Sequence, residues 1–333
     1  MSMKLASDKA AVLQAVEFLK AGEIVALPTE TVYGLAADAT NETAVAKIFE
    51  AKGRPANNPL IVHVPSMKQA QSLIDMNDKA RALAQAFWPG ALTIIGTLKS
   101  KDIAPNVTAG LDTLAVRIPS HGIFQDILKQ LGKPIAAPSA NGSGHVSASS
   151  PKIVADTLHV QPALILASGI TECGLESTII DCTNDVPVLL RYGAISQDRI
   201  KDVVGVIEDK VTLTNNEAPK SPGQLLRHYA PRTSIRMNAV DVREGEALLA
   251  FGSTKFMAHV HGGYAGDVLP STHLKNLSDE GDLEEAAHHL FAYLHDLDLL
   301  SPNVIAVMPI PDKGIGQSIN DRLRRACHAQ KMG

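Results

Sequence analysis

Lys52-Gly53-Arg54-Pro55, running on to Asn58-Pro59-Leu60-Ile61-Val62-His63-Val64, joins the end of a helix to the start of a buried strand. Upstream, Asn41 is placed to cap a helix that carries Ala44, Val45, Ile48 and Phe49 on one face, and Gly53 is its natural left-handed stop. Downstream, residues 61–64 read as a buried strand with a histidine near its end. Helix, tight stop and strand make one unit of an α/β fold. Lys52 and Arg54 therefore stand at a helix exit, where two cations complement the negative end of the dipole. The same pair also suits a phosphate-rich ligand, because Ser139-Ala140-Asn141 sets a hydroxyl and an amide in a turn after the strand-like stretch 134–138. On this segment alone both readings stand, and a lone strand histidine such as His63 reads as structural until other residues join it.

Composition frames the rest. The chain has 333 residues, 45% of them hydrophobic and 20% charged, enough for two ordinary globular domains. No apolar run approaches the roughly 18 residues of a membrane-spanning helix, and the N-terminus lacks a basic region followed by an apolar core, so the expected location is cytoplasmic. Cys173, Cys182 and Cys327 have neither metal-ligand spacing nor the density of a disulfide framework. The net charge is -4; residues 1–205 hold 18 Lys plus Arg against 19 Asp plus Glu, and the remainder 13 against 16. Neither part is basic enough to predict nonspecific nucleic-acid binding.

Along the chain, strand candidates fall at 24–27, 61–64, 92–97, 114–118, 135–137, 163–166, 177–181 and 188–190, with helical patterns between them. A polar stretch at 212–220 leads into Ser221-Pro222-Gly223 and His228-Tyr229-Ala230-Pro231, which reads as a linker. Beyond it, 247–251 and 304–308 read as buried strands, 283–300 as a long amphipathic helix and 319–329 as a terminal helix. The predicted division is a first domain of 1–205, a linker or lid of 206–231 and a small α/β domain of 232–333. Within the first domain Arg117, Ser139, Ser177 and Arg191 all sit at strand ends, where an α/β sheet presents its binding groups.

The run Pro28-Thr29-Glu30-Thr31-Val32-Tyr33-Gly34-Leu35 now joins the phrases already quoted, with Trp88-Pro89-Gly90, Ala115-Val116-Arg117-Ile118-Pro119 and Glu176-Ser177-Thr178. In this order over about residues 15 to 205 they resemble the threonylcarbamoyl-AMP synthase family, also called the YrdC type. The tail resembles the extra domain of the family's long form through Leu290-Phe291-Ala292-Tyr293-Leu294-His295 and Gly314-Ile315-Gly316 leading to Asn320-Asp321-Arg322-Leu323.

The resemblance implies a YrdC-like twisted mixed sheet with helices and a concave site, plus a smaller Rossmann-like C-terminal domain. It implies a nucleotidyltransferase that makes threonylcarbamoyl-AMP and pyrophosphate from L-threonine, bicarbonate and ATP, with Mg2+ brought by ATP. Partner proteins would then transfer the threonylcarbamoyl group to tRNA. By the family's pattern Thr31, His63, Arg117, Ala137 and Ser177 hold threonine. Arg54, Asn58, Thr113, Ser139, Ser147 and Arg191 hold ATP, with Tyr229 of the linker closing over it. Lys52 and Asn141 complete the paired motif at the phosphates, and Lys52 and Arg54 neutralise charge on the leaving pyrophosphate. The segment 221–231 is expected to act as a lid.

Two departures from the family pattern matter. The loop after Asn141 reads Ser147-Ala148-Ser149-Ser150-Pro151 instead of reaching a Ser-Pro pair early, and the linker before His228-Tyr229 is less basic than the family's, which leaves His228 and Tyr229 as alternative contacts. Other motifs are weaker. Gly142-Ser143-Gly144 lacks the third glycine of a dinucleotide loop, and His259, His261, His288, His289 and His295 read as surface or packing residues rather than a metal site. The rival classes are an RNA-binding module of the same fold without synthase activity, and a carbamoyl transferase of the hydrogenase-maturation type, whose zinc-finger segments the cysteine count excludes.

Overall fold

The computed structural model describes residues 2–211, 229–255, 258–259 and 269–330. The helix Glu42–Lys52 shows how directly local chemistry sets the fold. The Asn41 side chain accepts from the Ala44 amide at 3.1 Å, and Gly53 ends the helix at φ 59°, which an L side chain rarely adopts. Ala44, Val45 and Ile48 are buried on the inner face.

The first part of the chain supplies β1 (Ser2–Leu5), β2 (Val25–Leu27), β3 (Gly34–Asp38), β4 (Ile61–His63), β5 (Leu92–Thr97), β6 (Thr113–Arg117), β7 (Ile135–Ala136), β8 (Leu164–Ala167), β9 (Thr178–Asp181), β10 (Val188–Arg191) and β11 (Glu208–Asp209). They form one mixed sheet in the order β1-β8-β2-β3-β7-β4-β6-β5-β9-β10-β11. Every strand expected from the sequence is present, within a residue or so at each end. β1, β3 and β11 were not among the expected strands. β3 is Gly-Leu-Ala-Ala-Asp, poor in β-branched and aromatic residues, and it is a strand because β2 and β7 pair with it on either side.

Alternation along the strands decides which face is covered. At one end of the sheet Val25, Leu27, Leu164 and Leu166 pack under the helices Lys9–Lys20 and Gly122–Leu131, while Ala26 and Ile165 face the opposite core. In the middle strands Val62, Val116, Ile94 and Ile180 point to that same large core. Their neighbours Ile61, Ala115, Ile95 and Ile179, with Val188 and Leu190, form a separate small cluster on the other face. That face is the floor of the concave site.

The later part of the chain forms a smaller sheet from β12 (Ser234–Arg236), β14 (Glu246–Ala250), β16 (Leu274–Asn276) and β17 (Val304–Val307), with β13 (Asp241–Val242) and β15 (Ala258–His259) paired apart from it. The order β12-β17-β14-β16 is parallel throughout, as a Rossmann-like unit requires. Ile235, Ala247, Leu249, Ile305 and Val307 face the helices Leu283–Leu299 and Gly316–Gln330 in a cluster continuous with the core of the large sheet. The two sheets thus share buried surface through those helices.

Candidate functional site

Strand register assembles the site. His63 and Arg117 are direct partners across β4 and β6. Arg191 reaches the same face through an irregularity in β10: Leu189 pairs with Ile180 but Arg191 with Ile179, so one extra residue is accommodated. Such a bulge turns Arg191 towards the face that simple alternation would deny it. A cavity with about 490 Å³ of atom-free space, part of it open to solvent, lies over this floor. Thr31, Arg54, His63, Arg117, Ala137, Ser139, Ser177 and Arg191, all expected from the sequence, line it.

At one end Arg117 is almost fully engaged. Its Nη2 pairs with Glu30 Oε1 at 2.7 Å, Nη1 donates to Thr31 Oγ1 at 2.9 Å and Nε to the Gly90 carbonyl at 3.1 Å. Five guanidinium N–H groups minus these three leave two for a ligand. Thr29 holds the preceding turn, its Oγ accepting from the amides of Thr31 and Val32 at 3.0 and 3.2 Å. Glu30 is buried; burial raises its pKa, but Arg117 outweighs this and holds the carboxyl below its ordinary range. His63 lies against Phe124 with ring centroids 5.1 Å apart, and its pKa falls to about 3, chiefly by burial and then by the Arg117 charge. The imidazole is therefore neutral at physiological pH. Ser177 Oγ meets Thr93 Oγ1 at 2.7 Å and lies 3.1 Å from Arg191 Nη2.

The other end is different. Arg54, only 8% exposed, donates to the Asn58 carbonyl at 3.1 Å, Asn58 Oδ1 at 2.6 Å and the Pro59 carbonyl at 2.8 Å. All three acceptors are neutral, and no carboxylate pairs with it among the described residues. Burial, and then the neighbouring Arg191, push its pKa down to about 9, which leaves it charged at neutral pH.

Several expected residues lie outside the cavity wall. Lys52, 2% exposed, donates its ammonium to the backbone carbonyls of Ser139 and Asn141, so it ties the helix end to the turn. Burial and the Arg54 charge lower its pKa well below the usual lysine range. Asn141 donates to the Gly142 and His145 carbonyls at 2.9 and 3.1 Å, shaping the loop. Ser147 is fully buried and donates to Glu176 Oε1. Thr113 opens β6, half-buried, away from the cavity lining. Tyr229 is buried with its ring 5.7 Å from that of Phe291, and burial raises the pKa of its phenol. Of the expected lid, 221–228 including His228 lie outside the described residues.

Sequence reasoning quoted Glu30 and Glu176 only as parts of motifs, yet Glu30 anchors Arg117, while Glu176 lines the cavity and binds Arg322 of the terminal helix. The available signal was an acidic residue beside each ligand candidate, Thr31 and Ser177, on apolar segments where a lone carboxylate needs a partner. Among the described residues no group of three or more His, Cys, Asp or Glu is arranged to hold a metal ion. No helix among them is long and apolar enough to cross a membrane.

Comparison with known proteins agrees over almost the whole chain. A family model described as telomere recombination matches residues 17–193, and one described as threonylcarbamoyl-AMP synthase, C-terminal domain, matches 195–328. The threonylcarbamoyl-AMP synthase of Bacillus subtilis is 39% identical, covering 97% of this chain and 94% of that protein. The Pyrococcus abyssi protein of the same name is 38% identical, covering 93% and 92%. The crystal structure of P. abyssi Sua5 complexed with L-threonine superposes with a TM-score of 0.86 at 34% identity, over 99% of this chain and 97% of that one. E. coli YciO, at 24% identity and a TM-score of 0.51 over 58% of this chain and 93% of its own, shares the fold of the first part.

Proposed function

The chain belongs to the threonylcarbamoyl-AMP synthase family in its two-domain form, and from that premise we propose how its residues divide the work of making threonylcarbamoyl-AMP. The reaction is the nucleotidyl transfer in which the threonine ammonium first gives up a proton and the free amine attacks bicarbonate, with loss of water. The resulting carbamate oxygen then attacks the α-phosphorus of ATP and pyrophosphate leaves. Aligning the reactants and neutralising charge supply most of the acceleration in such chemistry.

The observation that carries the reading is the unequal pairing of two arginines in one cavity. Arg117, steadied by Glu30, offers its two remaining N–H groups to the threonine carboxylate, with Thr31, His63, Ser177 and the Ala137 backbone around the amino acid. Neutral His63 can hydrogen-bond the substrate without adding charge. Arg54, buried among neutral acceptors, supplies the cation that ATP phosphates need, and Arg191 and Ser139 line the same cavity. Lys52 and Asn141 serve the nucleotide through the turn and loop they hold, and Asn58 through its grip on Arg54. Ser147 reaches the cavity wall through Glu176, while Thr113 and Tyr229, outside its lining, are assigned to ATP by the family's pattern. The cavity's carboxylates are engaged by arginines and form no cage for Mg2+, so the ion would arrive on the triphosphate oxygens.

The division into a catalytic domain of 1–205, a linker of 206–231 and a second domain of 232–333 belongs to the same proposal. So do a cytoplasmic location and handover of the product to threonylcarbamoyl-transfer proteins acting on tRNA. The RNA-binding reading is not favoured, since the buried polar set is sized for an amino acid and a nucleotide and the chain is not basic. The test is pyrophosphate release from ATP with each amino acid in turn, with and without bicarbonate. Release that depends on threonine and bicarbonate together supports the reading, and equal release with valine would overturn the assigned substrate.

A further inference from the structure

The terminal helix Gly316–Gln330 buries three charged side chains, Asp321, Arg322 and Arg325, at 5%, 0% and 1% exposure. Burying charges is costly unless each is paired and hydrogen-bonded, so a helix that served only as packing would carry apolar residues there. Arg322 instead reaches into the first domain. Its Nε and Nη2 donate to Glu176 Oε2 at 3.2 and 3.0 Å, and its Nη1 to Asp321 Oδ2 at 3.0 Å. Its guanidinium lies 5.0 Å from the centre of the Tyr229 ring, which also stacks on Phe291. The remaining oxygen of Glu176 accepts from Ser147. One arginine of the second domain thus fixes a carboxylate of the cavity wall, the hydroxyl bound to that carboxylate and the Tyr229 ring.

The surrounding backbone leaves no slack in this contact. A Cβ on Gly174, at φ 66°, would lie 2.3 Å from the carbonyl oxygen of Ala287 in the helix Leu283–Leu299. A Cβ on Gly193 would lie 2.3 Å from the Thr178 amide, and the Gly193 carbonyl accepts from Ser318 of the terminal helix at 2.8 Å. Both second-domain helices therefore press directly on the loops that flank Ser177 and Arg191.

We propose that Arg322 is a positioning residue for the nucleotide end of the site, acting through Glu176 on Ser147 and by direct stacking on Tyr229, so that the docked second domain is part of the catalytic unit. The proposal rests on the functional reading above, and its consequence is selective. Displacing Glu176 and Tyr229 disturbs the groups around ATP, whereas Arg117, Glu30, Thr31 and His63 keep their own contacts. Misplacement of about 1 Å can cost on the order of 100-fold in rate.

The test is steady-state synthesis of threonylcarbamoyl-AMP by full-length wild type, Arg322→Lys, Arg322→Met and Glu176→Gln, with KM for ATP and for threonine measured separately and thermal midpoints alongside. Arg322→Lys keeps a buried cation near Glu176 but loses the planar fork and the stacking, so it preserves folding while testing position. The expected result for it is a rise of about 10-fold in ATP KM, with threonine KM changed less than about twofold. Arg322→Met and Glu176→Gln should give the same pattern, and the double variant should be no worse than the poorer single. Wild-type kcat and ATP KM in Arg322→Lys, with only the thermal midpoint lowered, would overturn the proposal and leave Arg322 a structural strut. Wild type inactive with ATP, threonine and bicarbonate would instead overturn the functional reading, and this inference with it.

Discussion

The two ends of the cavity are built on opposite electrostatic plans. At the Arg117 end, cation, carboxylate and hydroxyl are matched before any ligand arrives, through Glu30 at 2.7 Å and Thr31 at 2.9 Å. At the Arg54 end a buried guanidinium has, among the described residues, only amide and carbonyl acceptors, and its pKa is depressed because burial and Arg191 oppose its charge. The first arrangement presents a rigid, nearly neutral seat, where a ligand is read by geometry. The second stores unfavourable electrostatics that an anion relieves. Such a division suits a zwitterionic amino acid at one end and a polyphosphate at the other.

The sharpest way to break this comparison is to remove each arginine's charge in turn. Arg117→Met leaves Glu30 buried without its cation, and stability should fall by about 3–5 kcal/mol, read by urea unfolding. Adding Glu30→Gln should recover part of that loss; no recovery would mean that the pair is not what the end depends on. Arg54→Met should do the reverse, costing about 2.7–4 kcal/mol in kcat/KM for ATP while stability falls by only about 1–3 kcal/mol, because it strands neutral acceptors but no carboxylate. A destabilisation as large as that of Arg117→Met would erase the distinction.

Smaller effects refine it. Lys52→Met leaves the carbonyls of Ser139 and Asn141 short of a donor, and should cost about 1–3 kcal/mol in stability together with a raised ATP KM. Unaltered ATP KM would detach the turn from nucleotide binding. His63 gives the smallest effect. Its folded pKa of about 3 lies below the unfolded value. The unfolded chain therefore binds a proton that the folded chain refuses as pH falls below about 6.5, and stability drops by at most about 1.4 kcal/mol per pH unit from this group. Unfolding midpoints of wild type and His63→Gln, compared at neutral and mildly acidic pH, should differ in slope. Parallel lines would place the acid sensitivity elsewhere.

What the chain declares by itself is local. The Asn41 cap, the Gly53 stop and the apolar face between them are all contained in one short segment, and the helix Glu42–Lys52 forms as read. The strands with β-branched residues were legible as short apolar runs, and the polar groups at their ends through position alone. His63, Arg117, Ser177 and Arg191 do converge on one cavity. The family resemblance was legible too, because its motifs are short and ordered. Tertiary structure decided everything that depends on a distant partner. β3 is a strand because of its neighbours, and Arg191 faces the cavity because of an irregularity in pairing. Of two cations one residue apart, Lys52 turns to backbone carbonyls and Arg54 to the cavity, a choice that the turn at Ser139 makes from across the fold. Arg322 finds Glu176 at a separation of 146 residues, which no periodicity encodes. A helix or strand is stabilised by groups a few residues apart, whereas a buried charge is tolerated only where folding delivers its partner, so its role is written in three dimensions.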